Sequence, residues 1–137
     1  IFGGGAEQLR EIIATCEAEM EGQVPIHFAG NYLVEHIDKE RIYSLFDQAL
    51  AAAEEPRHRN NIKMMRMAFR YSELVASDSV VPTENRVPIM YEDKTGELAY
   101  MATHFDSFFA HRTGYGIAFP VSNRTDAPPP NNWYEFE

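Results

Sequence analysis

A chain of 137 residues, 45% hydrophobic and 24% charged, has the length and composition of one globular domain, which excludes a disordered segment. Its formal net charge of −9 speaks against nucleic acid, whose binding rests on cation–phosphate contacts, and against anionic membrane surfaces. The single cysteine, Cys16, excludes an internal disulfide framework, and no apolar run approaches the roughly 20 residues of a membrane-spanning helix.

The chain opens IFGGG, without a methionine. Three consecutive glycines read as a flexible junction left by dividing a longer protein. A glycine-rich loop ahead of a helix can also cradle phosphate, but no GK[ST] follows and the dinucleotide pattern lacks its third glycine. A helix is predicted over about 6–22, because Leu9, Ile12, Ile13, Cys16 and Met20 recur at three- and four-residue steps. Cys16 shares that apolar stripe, so it reads as a buried, inert small hydrophobe rather than a nucleophile. Glu17 and Glu21 lie four apart, a spacing that on a helix usually marks a solvated face. Residues 23–37, punctuated by Pro25 and Gly30, read as a loop leading into a helical turn, with His27 and His36 as hydrogen-bonded structural histidines.

The second predicted helix covers about 38–55. Asp38 is a good N-cap, and Ile42, Leu45, Phe46, Ala49, Leu50 and Ala53 form the stripe. Pro56 breaks that helix and suits the first turn of the next, predicted over 57–77. Ile62, Met65, Ala68, Phe69 and Ser72 share one face of this third helix. Arg57, Arg59, Lys63, Arg66 and Arg70 give it a basic character that reads as pairing with nearby acids rather than as an anion site. Pro82, Pro88 and the run from Glu92 to Gly96 mark a loop with a short strand at 87–91.

A fourth helix is predicted over 96–113, capped by Thr95, with Leu98, Met101, Phe105, Phe108 and Phe109 inward and Gly114 at its left-handed end. Gly116–Val121 reads as extended, and Pro128–Pro130 as a polyproline-like arm. The closing WYEFE is too apolar for a free tail and is expected to dock. The predicted architecture is therefore all-α: a single domain over 1–137, an irregular three- to four-helix bundle with an extended C-terminal arm.

Chemistry-bearing patterns are few. His104 and His111 fall about 10 Å apart along one helix, too far for a shared zinc without other ligands. Neither a metal nor a cofactor is implied, and catalytic residues stay unknown. Tyr115, Asn123, Arg124, Trp133 and Tyr134 form the best ligand-binding candidates, since sugars present apolar faces edged by hydroxyls to aromatic and amide side chains. The competing reading of those aromatics is ordinary packing.

LFDQALAAAEE (Leu45–Glu55), the basic helix after it, GELAYMATHFD (Gly96–Asp106) and GYGIAFP (Gly114–Pro120) together resemble the C-terminal helical region of an uncharacterised bacterial family of large, multi-domain proteins. Those proteins look like glycoside hydrolases, with an α-glucuronidase-like or hexosaminidase-like β/α barrel ahead of the helical part. The resemblance implies a secreted or periplasmic parent acting on polysaccharide, whose catalytic acids belong to the barrel. It makes this chain a non-catalytic accessory domain that packs on the barrel and lines its cleft. The alternative is a free-standing carbohydrate- or protein-binding module. An independent metal-dependent enzyme using His104 and His111 is a third reading.

Overall fold

The computed structural model describes residues 1–21, 36–77, 80–81, 90–91, 95–108 and 133–137. The chain divides into two compact units, one of Ile1–Ala76 with Trp133–Glu137 and one of Ser77–Asn132. The fold is all-α. Its helices are α1 (Ala6–Met20), α2 (Lys39–Ala52), α3 (Pro56–Ser77) and α4 (Glu97–His104). Among the described residues, extended pairing is confined to a two-residue antiparallel ladder, β1 (Val80–Val81) with β2 (Met90–Tyr91), in which Val80 faces Tyr91 and Val81 faces Met90. The strand expected at 87–91 is represented there by β2. The extended segment at Gly116–Val121, the polyproline-like arm and the Gly114 helix end lie outside the described residues.

In the first unit the apolar stripes meet as their spacing requires. Leu9 and Ile12 of α1, Ile42, Leu45, Phe46 and Ala49 of α2, and Ile62 of α3 form one buried cluster. Phe46 and Phe69 approach with ring centroids 6.3 Å apart. Burying a leucine, isoleucine or phenylalanine contributes about 1.5–3 kcal/mol each, so this cluster is the main stabilising term of the unit.

The helix ends have local causes. Asp38 caps α2 as expected, its carboxylate accepting from Arg41 N at 3.2 Å. α2 stops at Ala52, with Ala53 extended at φ −86°, ψ 117°, rather than running to 55. The Arg59 guanidinium takes up the carbonyls of Ala53 and Glu54 at 3.1 and 2.6 Å, satisfying groups that a helix end leaves open. Pro56 then begins α3, and the Glu55 carbonyl accepts from His58 N and Arg59 N at 3.0 and 3.1 Å. α1 ends at Met20 because Glu21 turns extended at φ −60°, ψ 129°.

The three glycines at the start are not a flexible junction. Gly3–Gly5 is a 3₁₀ turn leading directly into α1. It lies so close to the end of α2 that a Cβ on Gly4 would meet the Ala52 carbonyl oxygen at 2.2 Å. One on Gly5 would meet the Ala49 carbonyl oxygen at 2.7 Å, and Gly3 takes a left-handed φ of 54° beside His58. Glycine is needed here for close backbone approach, not for flexibility.

In the second unit, α4 is shorter than the predicted 96–113. It closes at His104, where Phe105 leaves helical geometry at φ −128°, ψ 13°, and a further turn covers 106–108. Residues 109–113 lie outside the described residues. The N-cap is Gly96, at φ 76°, rather than Thr95; Thr95 contributes by accepting from Glu97 N through its hydroxyl at 3.3 Å. Leu98, Ala99 and Met101 are buried, as the apolar spacing requires, and so is Glu97.

Candidate functional site

α3 carries most of what the first unit offers chemically, and its two flanks differ. The first flank is built by side chains near the start of α3, three of which hold residues 133–137. Arg59 grips Glu137 with two bonds, Nε at 2.7 Å and Nη2 at 2.8 Å, while its remaining nitrogen caps α2. Asn60 closes a reciprocal pair with the Glu137 backbone, its amide donating to the carbonyl at 2.8 Å and its oxygen accepting from the N–H at 3.0 Å. Lys63 donates to the Glu135 carbonyl at 2.9 Å, and Asn61 holds the other end of the chain by donating to the Ile1 carbonyl at 2.7 Å. The hydrogen bond from Arg59 holds the Glu137 carboxyl below the usual carboxylate range.

Trp133 and Tyr134 are brought in by this clamp. Trp133 lies against Tyr43 of α2 with centroids 4.9 Å apart, and the Arg66 guanidinium sits over its ring at 4.6 Å. Tyr134 is 6% exposed. Arg66 is itself only 4% exposed, and its one described acidic contact is Asp47, a long 3.4 Å away. Burial pushes the Arg66 guanidinium below its ordinary value. Tyr43 donates to Glu73 at 2.8 Å, and Arg70 bonds the same carboxylate. Burial, then the Glu73 carboxylate, raises the Tyr43 phenol well above its usual range, so it stays protonated. All five basic residues of α3 singled out by sequence thus have acidic neighbours: Arg57 with Glu55, Arg59 and Lys63 with Glu137, Arg66 with Asp47, and Arg70 with Glu73.

The second flank is an open apolar trough of about 340 Å³. Ile12, Ile13, Cys16 and Glu17 line it from α1, Met65, Ala68, Phe69 and Ser72 from α3, and Phe46 of α2 lies between. Ile13, expected in the core stripe, is 46% exposed on its edge. Cys16 is half-buried there, and burial raises its thiol above the ordinary value, which suits the inert role expected of it. Small-molecule sites combine apolar walls with several convergent polar groups. This trough has Glu17 and Ser72 alone, which fits packing better than catalysis. A smaller recess of about 300 Å³ lies among Gly3, Gly4, Ala52, Glu54, Glu55 and His58.

Of the sequence-derived ligand candidates, Trp133 and Tyr134 are therefore neighbours on the clamped flank, while Tyr115, Asn123 and Arg124 lie outside the described residues. His104 lies against Tyr100 one turn earlier, with ring centroids 4.3 Å apart and planes inclined at 41°, and His111 lies outside the described residues. Among the described residues no group of three or more His, Cys, Asp or Glu is placed to hold a metal ion, and no helix is long and apolar enough to cross a membrane. Sequence reasoning passed over Asn60 and Asn61. Two adjacent asparagines in the first turns of a helix were the available signal, since such side chains bond readily to backbone. Comparison with protein-family models, with curated proteins and with solved structures gave no match.

Proposed function

We propose that this chain is a non-catalytic helical accessory domain of a secreted or periplasmic glycoside hydrolase, packing on the catalytic barrel of the same parent chain. The substrate class, a polysaccharide, comes with the resemblance to the large bacterial family. The observation that supports a packing role is the contrast across α3. Of the sugar-binding candidates among the described residues, Trp133 is engaged with Tyr43, Arg66 and Arg70, and Tyr134 is buried. What the unit turns outward instead is the apolar trough, a surface suited to another protein element.

The purified chain is expected to hydrolyse none of a panel of aryl glycosides, and turnover would defeat the reading. A glycan panel titrated while following the emission of Trp133 is expected to give no response. A saturable response would support the carbohydrate-binding module instead.

A further inference from the structure

Residues 133–137 lie along α3 in the opposite sense to it. Glu137 meets Arg59 and Asn60, the Glu135 carbonyl meets Lys63, and the Trp133 ring meets Arg66 and Arg70. Anchors at 59, 63, 66 and 70 recur at three- and four-residue steps, so they share one face of the helix. The segment therefore runs from the later turns of α3 back toward its start, and Tyr43 of α2 packs on Trp133 as well.

This course fixes where the chain leaves and re-enters the first unit. It leaves at Ala76, in the last turn of α3, and re-enters at Trp133, beside residues 66 and 70. Measured along the helix axis, exit and return are separated by about 9–15 Å, although the whole of Ser77–Asn132 intervenes. A host tolerates an inserted module where its own exit and return lie close together. The buried residues divide in the same way. Among the described residues, the cluster around Phe46 draws only on the first unit, and Leu98, Ala99 and Met101, buried on α4 in the second, are not members of it.

We infer that Ser77–Asn132 is a module inserted into a host formed by Ile1–Ala76 and Trp133–Glu137, and that residues 133–137 are the strap that closes the host behind it. The strap is gripped by α2 and α3, so host and strap open together. The inserted unit is the smaller of the two, has less surface to bury and opens first.

The intact chain tests this. Trp133 is the one tryptophan, so its emission reports the strap, and hydrogen exchange over 97–104 reports α4. Met101→Ala removes a fully buried side chain of α4. It is expected to speed exchange over 97–104 by about thirtyfold or more, and to leave the urea midpoint read from Trp133 unchanged. Leu45→Ala, in the host core, is expected to lower that midpoint and to speed exchange over 6–20 and 133–137 together. Ile62→Val acts in the same direction with a smaller effect and serves if Leu45→Ala leaves the chain unfolded. Equal loss of the Trp133 midpoint from Met101→Ala and from the host-core variant overturns the proposal, because the chain is then one cooperative domain. A host-core variant that opens 6–20 while 133–137 keeps its protection overturns the strap. Exchange over 97–104 unmoved by Met101→Ala denies the second unit a core of its own and also overturns the proposal.

Discussion

On one flank of α3, residues 133–137 are held by Arg59, Asn60 and Lys63, and Trp133 is closed between Tyr43 and Arg66. On the other, Met65 and Phe69 face an open trough edged by the exposed Ile13. Among the described residues, the same helix thus has one side completed by the chain's own residues 133–137 and one side that lines an open apolar trough. The first side is polar at its edge and aromatic at its centre, with its charges directed inward to particular partners. The second has apolar area without polar direction. Packing that is finished internally fixes a structure, whereas unfinished packing is a place for association.

The most severe way to break this contrast is to remove the residue on which the trough rests. Phe46 is 2% exposed, touches Phe69 and floors the trough. Phe46→Ala is expected to cost about 3–5 kcal/mol in urea unfolding, through lost burial and the cavity left behind. Next comes the closed flank. Arg66→Ala removes the lid of Trp133 and should cost about 1–3 kcal/mol, with a red shift of tryptophan emission. Arg66→Met should recover most of that loss, because it restores packed volume over Trp133 without a buried charge whose one acidic contact among the described residues is the long one to Asp47. Equal damage from both variants would mean that the charge itself holds the flank.

A smaller effect is expected from acid. Because the Glu137 carboxyl is depressed in the folded chain, its contribution is present above the ordinary carboxylate value of 4.5 and is lost as pH falls through the lower folded value. The emission of Trp133 should therefore shift to the red on acidification below 4.5, and Glu137→Gln should shift it already at neutral pH and flatten that pH dependence. An unchanged profile in Glu137→Gln would detach the clamp from Glu137. The smallest effect belongs to the open flank. Ile13→Ser in the chain alone should change stability by no more than about 0.5 kcal/mol, the usual range for exposed positions. A loss of about 2 kcal/mol or more would show that Ile13 is core after all.

How far the sequence could be read follows from which interactions are local. The stripes of α1, α2 and α3 and the Asp38 cap were legible because apolar periodicity and capping act within a few residues. The docking of WYEFE was legible as a need to bury aromatics, but not its clamp. Arg59 and Asn60 meet Glu137 some 77–78 positions away in sequence, and no local pattern marks such a pair. The Gly3–Gly5 turn was misread for the same reason: what demands glycine is the backbone of Ala49 and Ala52, far along the chain. The early close of α4 at His104 was hidden because Phe105 keeps the apolar spacing of a continuing helix. The trough emerges only when two stripes, each correctly seen as apolar, fail to meet completely across Phe46.

The most direct test of the account is hydrogen exchange on this chain alone and on the full-length parent. The account predicts slower exchange in the parent over 12–17 and 65–72, with 133–137 unchanged. Identical exchange in both proteins, or slowing confined to 133–137, would contradict it.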